Sequence, residues 1–261
     1  MQSTFKTDSK IADDIVHFVY ETIFLGEEGL GYTADEAKLV DFSEEPEKQF
    51  AGADIIMFPN STKECNVEVK AAINSAGERV DEQGRSNSLM TFAQEISYLN
   101  EAGSVCDGWL IDETKQSDVY VFCWFPEVKN QSKQGYTRLK TIADIKKMDV
   151  AMVKVVDIQN ELIQELKKQE NIDDFNDVRR YLVDKSSDMR KHNRKTDKFG
   201  SYTMLLSSQM EEQPINLLIP KTTLIKKAFH SYAIHRKDTS LSESIEWVTI
   251  PFKWPTKAIT E

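Results

Sequence analysis

Three strand-length apolar runs follow one another between residues 37 and 72, and they constrain the fold more than any other feature of the chain. The runs are AKLVDF, ADIIMF and ECNVEVKAA, and turn-forming polar segments separate them. Short runs rich in β-branched and aliphatic residues, bounded by such segments, are typical of strands. The sequence therefore predicts three consecutive strands.

A helix is predicted ahead of these strands, over residues 9–25, where Ile11, Ile15 and Phe18 recur at helical spacing. A polar, glycine-bearing loop is predicted at 73–88, and a second helix at 89–100. Two further strands follow, with the sequences DGWLID and DVYVFCWF. The first 126 residues thus predict a helix, three strands, a helix and two strands.

The second half of the chain predicts a mixture of helices and strands. Strands are expected at VAMVKVV, YTMLLSS and INLLIP, and helices at IQNELIQELKKQ, at residues 173–192 and at TTLIKKAFHSYAI. No linker of low complexity marks a domain boundary. The change of composition near residues 130–150 is the best place for one, which divides the chain into 1–130 and 131–261.

Charge is distributed unevenly along the chain, whose net charge is -10. Residues 1–60 contain thirteen acidic residues against four lysines, whereas residues 178–203 contain eight basic residues against three aspartates. An acidic first half suits metal ligands, and a basic second half suits phosphate groups. Solvated helix faces are the alternative interpretation of the same charges.

Neither a membrane span nor a signal peptide is predicted. No apolar run approaches the roughly 18 residues that a span needs, and the N-terminus lacks the basic-then-apolar order of a leader. The three cysteines are widely spaced within apolar runs, which favours buried thiols over a zinc site or disulfides. We therefore expect a cytoplasmic protein with no membrane partner.

Charged residues interrupt the third predicted strand. Alternation along a strand puts Val67 and Val69 on one face and Glu68 and Lys70 on the other. An ordinary hairpin can bring Asp54, on the preceding strand, beside Glu68. Two carboxylates would then converge at one point, and such a point binds a hard divalent cation. The alternative is an ordinary ion pair on a solvated hairpin.

An acid two residues before a lysine is a weak motif by itself, because this chain contains seven examples. The example at Glu127 and Lys129 also follows an aspartate-bearing strand. We discount it because Pro126 is expected to break that strand and no helix follows promptly. Strand context is what distinguishes Glu68 and Lys70 from the other six.

At Asp54, Glu68 and Lys70 the chain resembles the PD-(D/E)XK nuclease superfamily. The core of that family is a helix, a strand, a strand that opens with the aspartate, a strand carrying acid-x-lysine, a helix and a further strand. The order predicted for residues 9–126 is similar. One departure is Ala53, which stands before Asp54 where the name-giving pattern has proline. The resemblance implies an α/β (α+β) fold with a restriction-endonuclease-like core, a central mixed sheet flanked by helices, and a mixed C-terminal half.

The resemblance also implies roles for particular residues. Asp54 and Glu68 would be ligands of Mg²⁺ or Mn²⁺, together with the backbone carbonyl of Val69, and Lys70 would position or deprotonate the attacking water. Many members add an acid from the first helix, for which Glu21 is the candidate. Further candidates are a Gln-to-Tyr pair that supports the site, formed by Gln94 and Tyr98 at helical i, i+4 spacing, although a Tyr-containing core helix is the other interpretation.

Two functions are consistent with these features. The first is a Mg²⁺-dependent DNA endonuclease, acting in restriction or repair, with a catalytic core at 1–130 and a basic region at 131–261 that binds DNA or packs on the core. Its expected phosphate contacts are Arg190, Lys191, Arg194 and Lys195. The second is a non-catalytic DNA-binding or assembly module, or an α/β protein with a surface ion network. Cutting both strands with one site per chain favours a homodimer.

Overall fold

The structure is a computed structural model that describes residues 5–41, 44–45, 47–48, 51–58, 63–80, 86–132, 135–168, 172–237 and 246–251. The fold is α+β, with a mixed sheet and flanking helices. Its helices are α1 (Phe5–Val19), α2 (Val155–Lys167), α3 (Phe175–Lys191) and α4 (Lys221–Lys227). A π-helical turn, Tyr20–Phe24, follows α1 directly. None of the described helices is long and apolar enough to cross a membrane.

Fourteen strands are described. They are β1 (Ala37–Leu39), β2 (Ile55–Met57), β3 (Cys65–Ala71), β4 (Glu78–Val80), β5 (Ser86–Ser88), β6 (Thr91–Leu99), β7 (Val105–Asp107), β8 (Val119–Val128), β9 (Ile145–Lys154), β10 (Thr196–Phe199), β11 (Tyr202–Leu206), β12 (Ile215–Pro220), β13 (His230–Lys237) and β14 (Glu246–Pro251).

The chain divides into two compact units that are interleaved in sequence. The first unit comprises Met1–Leu89, Ser117–Lys154 and Ala228–Glu261, and the second comprises Met90–Gln116 and Val155–Lys227. The boundary that the sequence suggests near residue 130 falls between β8 and β9, which pair with each other in one sheet. A composition change along the chain therefore does not coincide with the division in space.

A seven-stranded mixed sheet forms the first unit, in the order β1-β2-β3-β8-β9-β13-β14. The strands β1, β2 and β3 follow one another as predicted, with β2 and β3 forming the expected hairpin; β1 also pairs antiparallel with β2, and β3 pairs parallel with β8. The strands β4 and β5 form a separate two-stranded ribbon. This ribbon, and a 3₁₀ turn at Ile73–Ser75, lie in the segment that was predicted to be a loop.

One face of the seven-stranded sheet packs against α1. Ile11 and Ile15 of the helix are buried in the same cluster as Val67 of β3 and Val121 of β8. Phe18 makes an edge contact with Trp247 of β14, with 4.8 Å between the ring centroids. The helical spacing of apolar residues in this segment therefore predicts its packed face correctly.

The second unit contains a five-stranded sheet in the order β10-β11-β12-β6-β7, together with α2, α3 and α4. Asp174 caps α3, and its side chain accepts hydrogen bonds from the backbone amides of Asn176 and Asp177. Val178 and Leu182 of α3 are buried, as their spacing predicts. The predicted helix at 222–234 is only half present, because α4 ends at Lys227 and β13 begins at His230.

The helix predicted at 89–100 is wrong, because residues 91–99 form β6. Phe92, Gln94 and Ile96 are buried while Ala93 is exposed, an alternation that suits a strand. Antiparallel pairing with β12 and β7 supplies partners for the backbone groups. Long-range pairing has overridden an ambiguous local pattern. The neighbouring run DGWLID is likewise mostly a turn, in which Ile111 and Asp112 donate to the Gly108 carbonyl.

Truncation of Ile15 tests the packing of α1 on the sheet. Ile15 is fully buried, so Ile15→Ala is expected to lower the free energy of unfolding by about 2–5 kcal/mol through lost apolar contact and a cavity. Lys10→Ala, at an exposed position of the same helix, should change it by less than about 0.5 kcal/mol. Urea unfolding measures both, and equal effects would contradict the packing.

Candidate functional site

Asp54 stands immediately before β2, at the point where the hairpin partner β3 is closest. Its backbone amide donates to the Val67 carbonyl at 2.8 Å, and its Oδ2 accepts a hydrogen bond from the Val69 amide at 2.7 Å. The register Ile55↔Val67 continues the antiparallel pairing toward Asp54 and Glu68. The hairpin expected from the sequence therefore brings Asp54 to β3, and a backbone donor fixes its carboxyl group.

Glu68 and Lys70 form a contact between Glu68 Oε1 and Lys70 Nζ on one face of β3. Glu68 is buried, with 5% of its surface exposed, so the pair is not the solvated ion pair of an open hairpin. The Lys70 ammonium also lies 5.5 Å from the centroid of the Tyr120 ring. A buried ion pair is costly unless further polar partners support it.

Ser117 supplies such a partner. Its Oγ lies 2.9 Å from Glu68 Oε2 and 2.8 Å from the carbonyl oxygen of Gly52, so the hydroxyl links the carboxylate to the turn that precedes Asp54. The parallel register Glu68↔Tyr120 places the start of β8 beside Glu68. Sequence reasoning missed Ser117, because only the parallel pairing of two distant strands reveals its position.

The electrostatics of Asp54 reflect crowding of acidic groups. The pKa of its carboxyl group is raised to about 7, mainly by burial, with the nearby carboxylates of Glu68 and Asp13 acting in the same direction and the Val69 amide and Lys70 opposing them. Burial, with a smaller contribution from Glu68, also raises the pKa of the Tyr120 hydroxyl. Near neutral pH, Asp54 is therefore poised between its protonated and ionised forms.

Asp13, on α1, is a second residue that the sequence analysis missed. It lines a cavity of about 430 Å³ with Asp54 and with Val16, His17, Leu39, Val40 and Asp41. Burial and the neighbouring Asp14 raise the pKa of Asp13, and His17 lowers it. The i, i+4 spacing of Asp13 and His17 indicates that the two side chains lie on one face of the helix. Spacing alone does not show whether that face meets the strands.

Glu21, the predicted acid of the first helix, has a different position. It is exposed within the π-helical turn and does not line the cavity that contains Asp54. For Val69, whose backbone carbonyl the resemblance implies as a ligand, the structure shows that the backbone amide donates to Asp54. Asp13, on α1, does interact electrostatically with Asp54.

The competing acid-x-lysine pair, Glu127 and Lys129, was discounted partly on the expectation that Pro126 breaks its strand. That reason is wrong, because β8 continues through Pro126 to Val128, with register shifts around Glu127. Proline has no backbone N–H to donate, and the irregular strand pairing at this point accommodates its absence. Glu127 is exposed, unlike the buried Glu68.

Gln94 and Tyr98 lie on β6, in the second unit. Gln94 is buried and Tyr98 is partly buried, and burial with the neighbouring Cys106 raises the pKa of the Tyr98 hydroxyl. Because β6 is a strand, the helical spacing on which their predicted pairing rested is absent.

The four basic residues predicted to contact DNA fall into two classes. Arg190 donates to the carbonyl oxygens of Gln213, at 2.8 Å, and Ser97, at 3.1 Å, and burial lowers its pKa. Arg194 forms ion pairs with two aspartates of the same unit, Asp188 and Asp197.

Lys191 and Lys195, by contrast, are exposed. The two arginines therefore stabilise the second unit, and the two lysines are the members of the set that remain accessible to a ligand.

The carboxyl groups provide the right chemistry for a hard cation. Among the residues that the structure describes, no three His, Cys, Asp or Glu side chains lie together as a formed metal site. Asp54 and Glu68 carry carboxylate oxygens at the β2–β3 hairpin, and the charges of Glu68 and Asp13 disfavour ionisation of Asp54. A divalent cation would relieve that repulsion, and carboxylate oxygens are the donors that Mg²⁺ prefers.

The raised pKa of Asp54 predicts a pH dependence of stability. An acid whose folded-state pKa lies above its ordinary value of 3.8 keeps its proton more tightly when folded, so its contribution to stability is lost as pH rises from about 4 to about 7. Asp54→Asn removes this titration and keeps an oxygen for the Val69 amide. Urea unfolding between pH 4 and 8, without divalent metal, should show a steeper decline for wild type than for the variant. Parallel curves would contradict the assignment.

Comparisons of the chain with protein-family models, with curated proteins and with solved structures found no match.

Proposed function

We propose that this protein is a divalent-metal-dependent DNA endonuclease with a PD-(D/E)XK-type site. The observation that carries the proposal is the Asp54 carboxyl group, fixed by the Val69 amide and interacting electrostatically with both members of the buried Glu68–Lys70 pair. Two carboxylates and one ammonium in a partly enclosed site are the groups that metal-assisted phosphodiester hydrolysis needs.

The topology of the first unit supports the proposal. A helix, α1, precedes an antiparallel β1-β2-β3 meander, and β3 pairs parallel with β8. The aspartate precedes the second strand and the acid-x-lysine lies on the third, as in the family that the sequence resembles. One departure is the connection from β3 to β8, where the expected helix at 89–100 is replaced by β6.

Each residue has a distinct role in the proposed reaction. Asp54 and Glu68, with Asp13 from α1, would hold the cation, which when bound lowers the pKa of water and neutralises phosphate charge. Lys70 stabilises the negative charge that develops on the phosphate. Ser117 orients Glu68 through its hydroxyl group. Asp54 must lose its proton before it can act as a ligand.

Exposed basic residues of the second unit, Lys191 and Lys195, are the proposed contacts to the DNA backbone. Because one such site cuts one strand, cleavage of a duplex would use two copies of the chain, and we propose a homodimer on DNA.

Replacement of Lys70 tests the reaction. With Mg²⁺, wild type is expected to cut plasmid DNA, and Lys70→Ala should reduce the rate by at least about 100-fold, because the charge that stabilises the transition state is lost. The matched control is Lys146→Ala, which changes an exposed lysine in the same acid-x-lysine pattern on β9. Gel analysis of nicked and linear products measures both.

A wild type that binds DNA but does not cut it with Mg²⁺ or Mn²⁺ would reject the endonuclease and favour the non-catalytic DNA-binding module. Equal loss of cutting in the Lys70 and Lys146 variants would reject the assigned role of Lys70.

Metal affinity distinguishes Asp13 from Glu21, the acid that the resemblance implies as a ligand. Calorimetric titration with Mn²⁺ should show weaker binding for Asp13→Asn, by roughly 10-fold, because a carboxylate that interacts with Asp54 is removed. Glu21→Gln, at an exposed position after the same helix, should bind Mn²⁺ as wild type does. The reverse order of effects would restore Glu21 as the helix ligand.

A further inference from the structure

A second cavity of the first unit is lined mainly by basic and polar residues. Its volume is about 180 Å³, and it lies where the chain leaves β8 and returns toward β9. The lining residues are Val128, Lys129, Asn130, Thr137, Arg138, Leu139, Lys140 and Asp144. Three cationic side chains and one carboxylate, that of Asp144, thus line the cavity.

Two of the three cations are available to a ligand. Within the ranges that the structure describes, neither Lys129 nor Lys140 forms an ion pair with a carboxylate. The Asp144 carboxylate accepts a hydrogen bond from the Thr141 hydroxyl at 3.3 Å. The cavity therefore retains a net positive charge, and a concave basic site favours an anion.

Backbone hydrogen bonds fix the two segments that form the cavity. The Lys129 amide donates to the Asp144 carbonyl at 2.7 Å, and the Leu139 amide donates to the Ile73 carbonyl at 2.8 Å. Thr137 and Ala76 exchange a pair of backbone hydrogen bonds. Ile73 and Ala76 follow β3 directly, so the basic cavity is anchored to the segment that leaves the strand bearing Glu68 and Lys70.

We propose that this cavity, defined by Lys129, Arg138 and Lys140, binds a backbone phosphate of the nucleic acid that occupies the Asp54–Glu68–Lys70 site. The inference rests on the proposed function, and it places a phosphate contact within the first unit itself. Arginine and lysine around a phosphate provide charge-assisted hydrogen bonds, and a cavity of this size accommodates one phosphate group.

The cavity and the Asp54–Glu68–Lys70 site lie at different positions along β8. Tyr120, the partner of Glu68, precedes Val128 by eight residues on this strand. At about 3.3 Å per residue the two ends are at most about 26 Å apart along the strand. The cavity therefore binds a phosphate remote from the bond that is cut, and it contributes to binding rather than to chemistry.

The test is the salt dependence of DNA binding, measured in EDTA so that cutting is not required. Fluorescence anisotropy of a labelled 20-base-pair duplex compares wild type, Lys129→Gln/Lys140→Gln and a control, Lys146→Gln/Lys154→Gln, which removes two exposed lysines of β9. Loss of one phosphate contact should reduce the slope of log K against log salt by about one unit in the first variant. The control should retain the wild-type slope.

Equal slopes in the two double variants, or no measurable binding of DNA by wild type, would overturn the proposal. Inorganic phosphate provides a second arm. One outcome would make the cavity a site for free anions and the nucleic-acid assignment wrong. In that outcome wild type binds inorganic phosphate and the Lys129/Lys140 variant does not, while both proteins show the same slope of log K for DNA against log salt.

Plasmid cutting is measured separately with Mg²⁺. If the protein never cuts plasmid DNA but the salt dependence of DNA binding still depends on Lys129 and Lys140, the endonuclease is rejected and the phosphate site is retained. Failure of the proposed function and failure of the phosphate site are therefore distinguishable. Circular dichroism of both double variants checks that they remain folded.

Discussion

The parallel pairing of β3 with β8 is the constraint on which the candidate site depends. Antiparallel strands can be joined by a tight turn, whereas parallel neighbours need a long crossover connection. Here that connection extends from Ala72 to Asp118 and includes β6 and β7 of the second unit. Its return to the sheet brings Ser117 to Glu68 and Tyr120 beneath Lys70. Without this pairing, Glu68 and Lys70 would form only a hairpin ion pair.

A buried Glu68 paired with a partly buried Lys70 is hard to explain by stability alone. Replacing a buried ion pair with apolar residues is often neutral or stabilising, so such a pair is weak evidence for a structural role. The neighbouring residues on the same face of β8, Tyr120 and Phe122, are buried and aromatic, and a larger apolar side chain could pack against them. A charged pair at this position is more readily understood as part of a site that binds a charged ligand.

The sequence predicted the local elements of the first unit better than its long-range partners. The helix that became α1 and the strands β1 to β3 were predicted because their patterns are local, and alternation correctly placed Glu68 and Lys70 together. The segment 89–100 has apolar residues compatible with either a helix or a strand, and only pairing with β12 decides between them. Asp13 and Ser117 were missed for the same reason, since their partners are 41 and 49 residues away.

In the proposed function, Asp54 couples the protonation of the site to the binding of a cation. A carboxyl group with a pKa of about 7 is partly protonated near neutral pH, and a metal ligand must be ionised. Binding of the proposed cation would therefore release protons from Asp54, and its affinity would increase as the pH rises toward and through 7. The burial that raises the pKa also lowers the local dielectric, which strengthens the attraction between the ionised carboxylate and a cation. Burial of Asp54 thus disfavours its ionised form when no metal is bound, and would favour that form in the proposed complex with a cation.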